Sequence, residues 1–164
     1  MLTFIVAVPL LIGCGPARPP GMPDTAPCRI IVLQDGNPVP DVVVMLYREG
    51  GNGALSISGT TDAFGVAVIS TSWGNYTTRG APVGINRITV DKFFEMPPCP
   101  VTPEESALWT PAQGERYERE RQALVDGLRI IPVAIANINT TPLSVSIEPR
   151  IGGSLTIEIS DFKN

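Results

Sequence analysis

The sequence predicts an all-β fold: a seven-stranded antiparallel sandwich of two sheets, with a short helical insertion before the last strands. Glycine and proline are abundant, at 16 and 17 of 164 residues, which is typical of many short strands joined by turns. Apolar side chains alternate with polar ones in several segments, as they do in strands that bury one face. One stretch near the C-terminal third breaks this alternation and favours helix instead.

Length and composition indicate one domain without catalytic machinery. A chain of 164 residues is the size of a single domain with a substantial core. Its net charge is −4 and its basic residues are scattered singly, so no basic stripe is available for nucleic acid. The chain has no histidine, which removes the commonest general base and the commonest metal ligand. We therefore expect no metal, no other cofactor and no enzymatic activity.

Residues 1–13 predict a lipoprotein signal peptide. The apolar run from Leu2 to Ile12 is shorter than the ~20 residues that cross a bilayer, but has the length of a signal's apolar region. The segment Leu11-Ile12-Gly13-Cys14 resembles a bacterial lipobox. That resemblance implies cleavage before Cys14, diacylglycerol on its sulfur and a fatty acyl chain such as palmitate on the new amine. No Lys or Arg precedes the run, so either the start codon lies upstream or the amino terminus supplies the only charge.

Residues 14–27 predict a tether between the lipid and the domain. Five prolines from Pro16 to Pro27 favour a semi-rigid, extended chain. The protein is then expected in the cell envelope, lipid-anchored to a membrane and facing the periplasm or the exterior. The alternative for the apolar N-terminus is a buried strand or helix that contains a cysteine by chance.

The three cysteines leave an odd count. If Cys14 carries lipid, Cys28 and Cys99 remain as a pair in an oxidising compartment, where a disulfide persists. Such a bond would contribute about 4 kcal/mol in the chain-entropy model. The alternative is two unrelated buried thiols, because sequence does not show whether the geometry permits a bond.

Residues 28–162 are expected to form the sandwich. Cys28 to Gln34 predicts the first strand, and in the turn Asp35-Gly36-Asn37 the glycine supplies a positive φ. The next strand, Asp41 to Tyr47, is apolar on both faces. Gly152-Gly153 predicts the turn of a final hairpin. The other predicted strands are 55–59, 66–70, 85–91, 143–148 and 155–160, with a long polar loop over 71–84.

Residues 102–127 predict the helical insertion. The run 115–121 alternates Glu and Arg at spacings that pair on a helix, which favours a solvated face over a binding patch. Tyr117 and Leu124 are expected to touch the sandwich. The insertion is expected to cover a sheet face, because an open apolar face on the second strand would be an interface or an aggregation risk.

Four segments resemble the transthyretin-like domain of bacterial lipoproteins, also called carboxypeptidase-regulatory-like. They are Gly36 to Val44, Gly59 to Gly65, Gly80 to Gly84, and the C-terminal part from Ile131-Pro132 through Thr140-Thr141-Pro142-Leu143. The resemblance covers nearly all of the mature chain and implies an architecture rather than a chemistry. The sequence departs from it at Ala134-Ile135-Ala136, where relatives carry a polar stretch with lysine and tyrosine.

The enzymatic alternatives are weak. One transthyretin-like branch hydrolyses a ureide ring with histidines in its site, and this chain has none. A carboxylate pair such as Glu104 with Asp62 is the remaining hydrolytic alternative. Asp35, Asp41 and Asp62 are a formal calcium set, but we interpret them as turn aspartates that cap their own backbone.

We therefore expect a non-catalytic, lipid-anchored envelope protein, a structural or binding module with a protein or polysaccharide partner. The alternatives are an accessory domain of an envelope enzyme complex and a carboxylate-based hydrolase. The candidate binding loop contains two aromatic and two polar side chains, Trp73, Asn75, Tyr76 and Arg79. Aromatic rings stack on sugars or anchor protein interfaces, although Trp73 could instead cap the core.

Overall fold

The computed structural model describes residues 18–51, 54–93 and 102–162. Its architecture is mostly β, which confirms the predicted class. Inward-facing side chains of two main sheets form one buried cluster. The signal segment 1–13, Cys14 and Cys99 lie outside the described residues.

The described residues form twelve strand segments rather than seven. Numbered in chain order, they are β1 Thr25–Ala26, β2 Cys28–Gln34, β3 Asn37–Pro38, β4 Val43–Arg48, β5 Ser56–Thr60, β6 Val66–Val68, β7 Ser70–Trp73, β8 Tyr76–Arg79, β9 Ala81–Pro82, β10 Gly84–Asp91, β11 Ser144–Ile147 and β12 Gly153–Glu158.

The larger sheet contains six strands in the order β11-β10-β4-β5-β7-β8, and all of its neighbours are antiparallel. Its inner face is apolar, since Val44 and Leu46 of β4 and Ile88 and Val90 of β10 are buried. The prediction of a polar loop over 71–84 is wrong for most of that range, because the range contains most of the hairpin β7–β8 and the short strand β9.

The smaller sheet has β2 at its centre, with β12 on one side and β3 and β6 on the other. β12 runs parallel to β2, so a fully antiparallel sandwich is wrong for this pair. The predicted final hairpin is limited to one antiparallel bridge, between Glu148 and Gly152, because β11 then joins the larger sheet and β12 the smaller one.

Gly152 closes a tight turn after β11, where it exchanges two backbone hydrogen bonds with Glu148, and Gly153 begins β12. Gly152 has φ +88°, and a side chain there would collide with the Pro27 carbonyl. The Gly153 N–H donates to the same carbonyl oxygen at 2.9 Å. These two glycines therefore allow the chain to approach the start of β2 closely as it crosses between the sheets.

The folded domain begins before the predicted boundary at Cys28. β1 pairs with β9, and Ala26 and Met22 are buried. The Val83 N–H also donates to the Asp24 carbonyl at 2.9 Å. The last residues of the predicted tether are thus part of the domain.

The insertion contains two helices, α1 Pro103–Ser106 and α2 Pro111–Leu128. A capping box starts α2, in which the Gln113 side chain accepts from the Thr110 N–H at 2.8 Å. No residue of α2 is buried. Tyr117 packs on Trp109 of the insertion itself, and Leu124 is 49% exposed. The helix α2 of the predicted insertion therefore does not seal a sheet face, since seven of its 18 residues are charged and none is buried.

The segment after α2 packs on the core instead. Ile131 and Ile135 are 1% and 0% exposed, and Ile135 belongs to the short helix α3, Val133–Ala136, which contacts β10. The Thr141 hydroxyl donates to the Ile88 carbonyl at 2.7 Å. This is the Ala134-Ile135-Ala136 segment that departs from the family pattern, and here it contributes to the core.

We predict that Ile135→Ala lowers the free energy of unfolding by about 2–5 kcal/mol, because it empties a buried site. Leu124→Ala on α2 should change it by no more than about 0.5 kcal/mol, because that side chain is half exposed. Urea unfolding of both variants measures the difference. Equal losses for the two variants would mean that α2 belongs to the core.

Candidate functional site

The structure separates the four predicted binding-loop residues. Trp73 and Tyr76 pair across the hairpin and lie on the same side as the buried Thr71, because strand side chains alternate. The Trp73 ring lies over Gly21, its Cη2 atom 3.8 Å from where a Cβ would be. Asn75 is in the turn, and Arg79 points to the opposite face. Trp73 is therefore half-buried and lies against the N-terminal segment at Gly21.

The outer face of the larger sheet carries two rows of aligned side chains that cross the strands. We call these residues the hydroxyl face. The first row contains Thr89, Met45, Ser58, Ser70 and Arg79. The second row contains Ser144, Arg87, Tyr47, Ser56, Ser72 and Thr77. Its step from Tyr47 to Ser56 follows when the β4–β5 register is extended by two residues.

Small hydroxyl side chains dominate this face. Seven of its eleven residues are Ser or Thr, and all members except Thr89 are at least partly exposed. Neighbouring hydroxyls already bond to each other, since the Ser72 and Thr77 oxygens are 2.9 Å apart. The face thus offers many donors and acceptors on short, stiff side chains.

Two apolar side chains lie between the hydroxyls. Met45 is 40% and Tyr47 37% exposed, and the Tyr47 hydroxyl lies 3.7 Å from the Met45 sulfur. The phenol of Tyr47 and the thioether of Met45 are therefore neighbours on β4. An aromatic ring and a polarizable thioether therefore form a small platform near the middle of the sheet.

The only charged members of the face are arginines. Arg87 donates to the Thr141 carbonyl at 3.0 Å, and Arg79 is exposed. Neither forms a salt bridge with a carboxylate of the described residues. Both charges within the two rows are therefore positive, while Asp91 supplies a carboxylate on the same side of β10, two residues beyond Thr89.

Sequence reasoning missed this face, although a signal existed. In Ser56–Thr60 and Ser70–Trp73, serine or threonine occupies every second position. That alternation predicts polar outer faces but not their neighbours. Only the strand order, which places β5 between β4 and β7, combines them into one surface.

Cys28 lies elsewhere, in an open groove of about 440 Å³ lined in part by Arg29, Glu148 and Ser154. The thiol is 3% exposed, and burial raises its pKa to about 11. It is therefore a neutral, poorly nucleophilic thiol at neutral pH. Its predicted partner Cys99 lies outside the described residues, so the disulfide stays a prediction.

Two of the three predicted turn aspartates, Asp62 and Asp35, have side-chain partners in the structure, and Asp62 caps its own backbone. Asp62 accepts from the Phe64 and Val66 N–H groups at 2.9 and 3.0 Å, which confirms it as a turn cap. Asp35 accepts from the Ser160 hydroxyl at 2.7 Å. Within the described part of the chain, no three acidic or thiol side chains are grouped as metal ligands.

Glu158 is a structural carboxylate that clamps the turn after β2. It accepts from the Gly36 and Asp35 N–H groups at 3.0 and 2.8 Å and from the Ser160 hydroxyl at 3.0 Å. The Gly36 N–H, the Ser160 hydroxyl and the Asp35 N–H together hold the pKa of Glu158 below its ordinary value.

Comparisons with protein families, curated proteins and solved structures return no match. In the described ranges, no helix has the length and apolar character needed to cross a membrane.

Because the pKa of Glu158 is lower in the folded state, its contribution to stability is present above the ordinary glutamate pKa. That contribution is lost as the pH falls through the lower, folded-state pKa. We predict that Glu158→Gln lowers the melting temperature at pH 7 and flattens its fall under acid conditions. Thr156→Ala on the same strand is the control. A variant as stable as wild type at pH 7, with the same acid profile, would contradict the clamp.

We also predict a bond between Cys28 and Cys99, from the cysteine count and the exported context. Peptide mapping of oxidised protein without reductant should give a linked peptide pair. Because Cys28 is buried, alkylation should be done after denaturation and without reductant. Two alkylated cysteines under those conditions would refute the bond.

Proposed function

We propose that the chain is a non-catalytic binding module of the cell envelope, held to a membrane by lipid on Cys14, which contacts its partner through the hydroxyl face. The observation that carries the proposal is the outer face of the larger sheet, where every member of the two rows except Thr89 is at least partly exposed among the described residues. Its side chains are aligned, largely uncharged and partly apolar at the centre, and α2 has no buried residue with which to cover it.

The anchoring part of the proposal rests on the N-terminal sequence. The lipobox-like segment ends at Cys14. The folded domain includes β1, which pairs with β9, and the buried Met22 before it. Only a short proline-containing segment therefore separates the lipid from the domain. A module of this kind would stay close to the membrane surface and face the periplasm or the exterior.

We also propose a transthyretin-like arrangement for the domain. Two sheets sharing one apolar core, and Gly65 with φ +71° in the Asp62 turn, support it. A fold of this kind commonly presents binding surfaces on a rigid scaffold. The absence of histidine from the whole sequence supports a non-catalytic role.

Replacing Cys14 with Ser tests the anchor. The wild-type protein should lose residues 1–13, carry a lipid mass and enter the detergent phase, because more than one acyl chain gives stable anchoring. The variant should remain unlipidated and partition into the aqueous phase. Native protein that retains residues 1–13 without lipid would remove the anchoring part of the proposal.

Photo-crosslinking in intact cells tests the face. A photoreactive amino acid at Ser58 or Ser72 should give adducts, because both positions lie in the middle of the proposed contact surface. Thr156, exposed on the outer face of the smaller sheet, is the control position. Adducts at Thr156 but not at Ser58 or Ser72 would show that the binding surface lies on the smaller sheet, and would contradict the proposal.

A further inference from the structure

We infer that the ligand of the hydroxyl face is an acidic polysaccharide, lying across the strands with a sugar ring on Tyr47 and with carboxylates at Arg79 and Arg87. This inference rests on the proposed function and names the ligand class of the same site. It follows from three properties of the face: its hydroxyls, its central platform and its two arginines.

The hydroxyl groups suit a polyhydroxylated ligand. Serine and threonine donate and accept hydrogen bonds with one rotatable group each, so little side-chain entropy is lost when they bind. The bond between Ser72 and Thr77 further restricts two of them. A ligand made of sugar hydroxyls can exchange its water contacts for this ordered array at low conformational cost.

The Met45–Tyr47 platform suits the apolar face of a sugar ring. Both side chains are more than a third exposed, and the phenol hydroxyl contacts the thioether sulfur. A protein partner would need a larger apolar anchor region, because interface energy concentrates in buried clusters of large side chains. The remaining residues of the two rows are small hydroxyl residues and arginines. This composition favours a sugar ligand over a protein partner.

The two arginines require negative charge at separate points of the ligand. Arg87 is on β10 and Arg79 on β8, four strand spacings apart, which is about 19 Å. This separation exceeds one sugar ring, so a polymer rather than a monosaccharide connects them. Guanidinium groups bind carboxylates with charge-assisted bonds. The two rows contain no carboxylate, and Asp91, the acidic residue on the same side of β10, lies beyond Thr89, on the side away from Arg87.

Affinity electrophoresis of the full-length chain, with Cys14→Ser to remove the lipid, tests the inference. Native gels contain polygalacturonate, neutral dextran or polyglutamate at equal mass. Polygalacturonate should retard the protein, whereas dextran lacks the charge and polyglutamate lacks the sugar rings. Retardation should weaken as salt is raised, because the contacts to arginine are electrostatic.

Two variants of the face and one matched control localise the binding. Arg79→Gln should weaken retardation by polygalacturonate about tenfold, the loss expected for one charge-assisted bond, and Tyr47→Ala by a similar factor. Arg29→Gln removes one exposed positive charge from the smaller sheet and should change nothing. Melting curves should show that all three variants remain folded.

Three outcomes would overturn the inference. They are no retardation by polygalacturonate, equal retardation by polyglutamate, and an equal loss for Arg29→Gln and Arg79→Gln. The proposed function would survive any of them if Ser58 still crosslinked in cells to a protein. Absent adducts at Ser58 and Ser72 would instead remove the site itself.

Discussion

The backbone at Ala26-Pro27 is the constraint on which the two-sheet arrangement depends. A side chain at Gly80 would collide with the Ala26 carbonyl, and one at Gly152 would collide with the Pro27 carbonyl. The Ala26-Pro27 backbone therefore lies between two glycines. Pro27 then accepts from Gly153, which starts the parallel pairing of β12 with β2. Gly80 lies between β8 and β9 and leaves room for β1. Both glycines have positive φ, which other residues adopt at a cost.

Local patterns in the sequence predict most strands but not their partners. The first strand and the strands around 85–91 and 143–148 lie close to their expected positions, because period-two alternation is a local property. The parallel β2–β12 pair depends on contacts between residues more than a hundred positions apart, at Gly153 and Cys28. The pair Gly152-Gly153 is ambiguous in the sequence for the same reason, because the segment that lies next to it is distant along the chain. Such a pair signals a turn or a close approach, and only the neighbouring chain decides between these.

The insertion shows where amphipathic reasoning fails. Tyr117 and Leu124 lie at helical spacing, yet α2 is stabilised by its own capping box and by exposed Glu–Arg pairs such as Glu115–Arg119. These interactions are local, so the helix needs no sheet face to form. Within the described residues, β4 keeps Met45 and Tyr47 exposed on the outer face, although Val44 and Leu46 on its other side are buried.

The two faces of β4, one exposed and one buried, connect the fold to the site. The inward Val44 and Leu46 hold the strand in the core, so the positions of Met45 and Tyr47 are fixed by packing on the other side of the sheet. The flanking strands β5 and β7 contribute only small hydroxyl side chains to the outer face, which leaves it flat. A flat, rigid surface with few rotatable groups gains little from rearrangement on binding. It therefore suits an extended, repetitive ligand better than a compact one, because successive units of a polymer can contact successive strands.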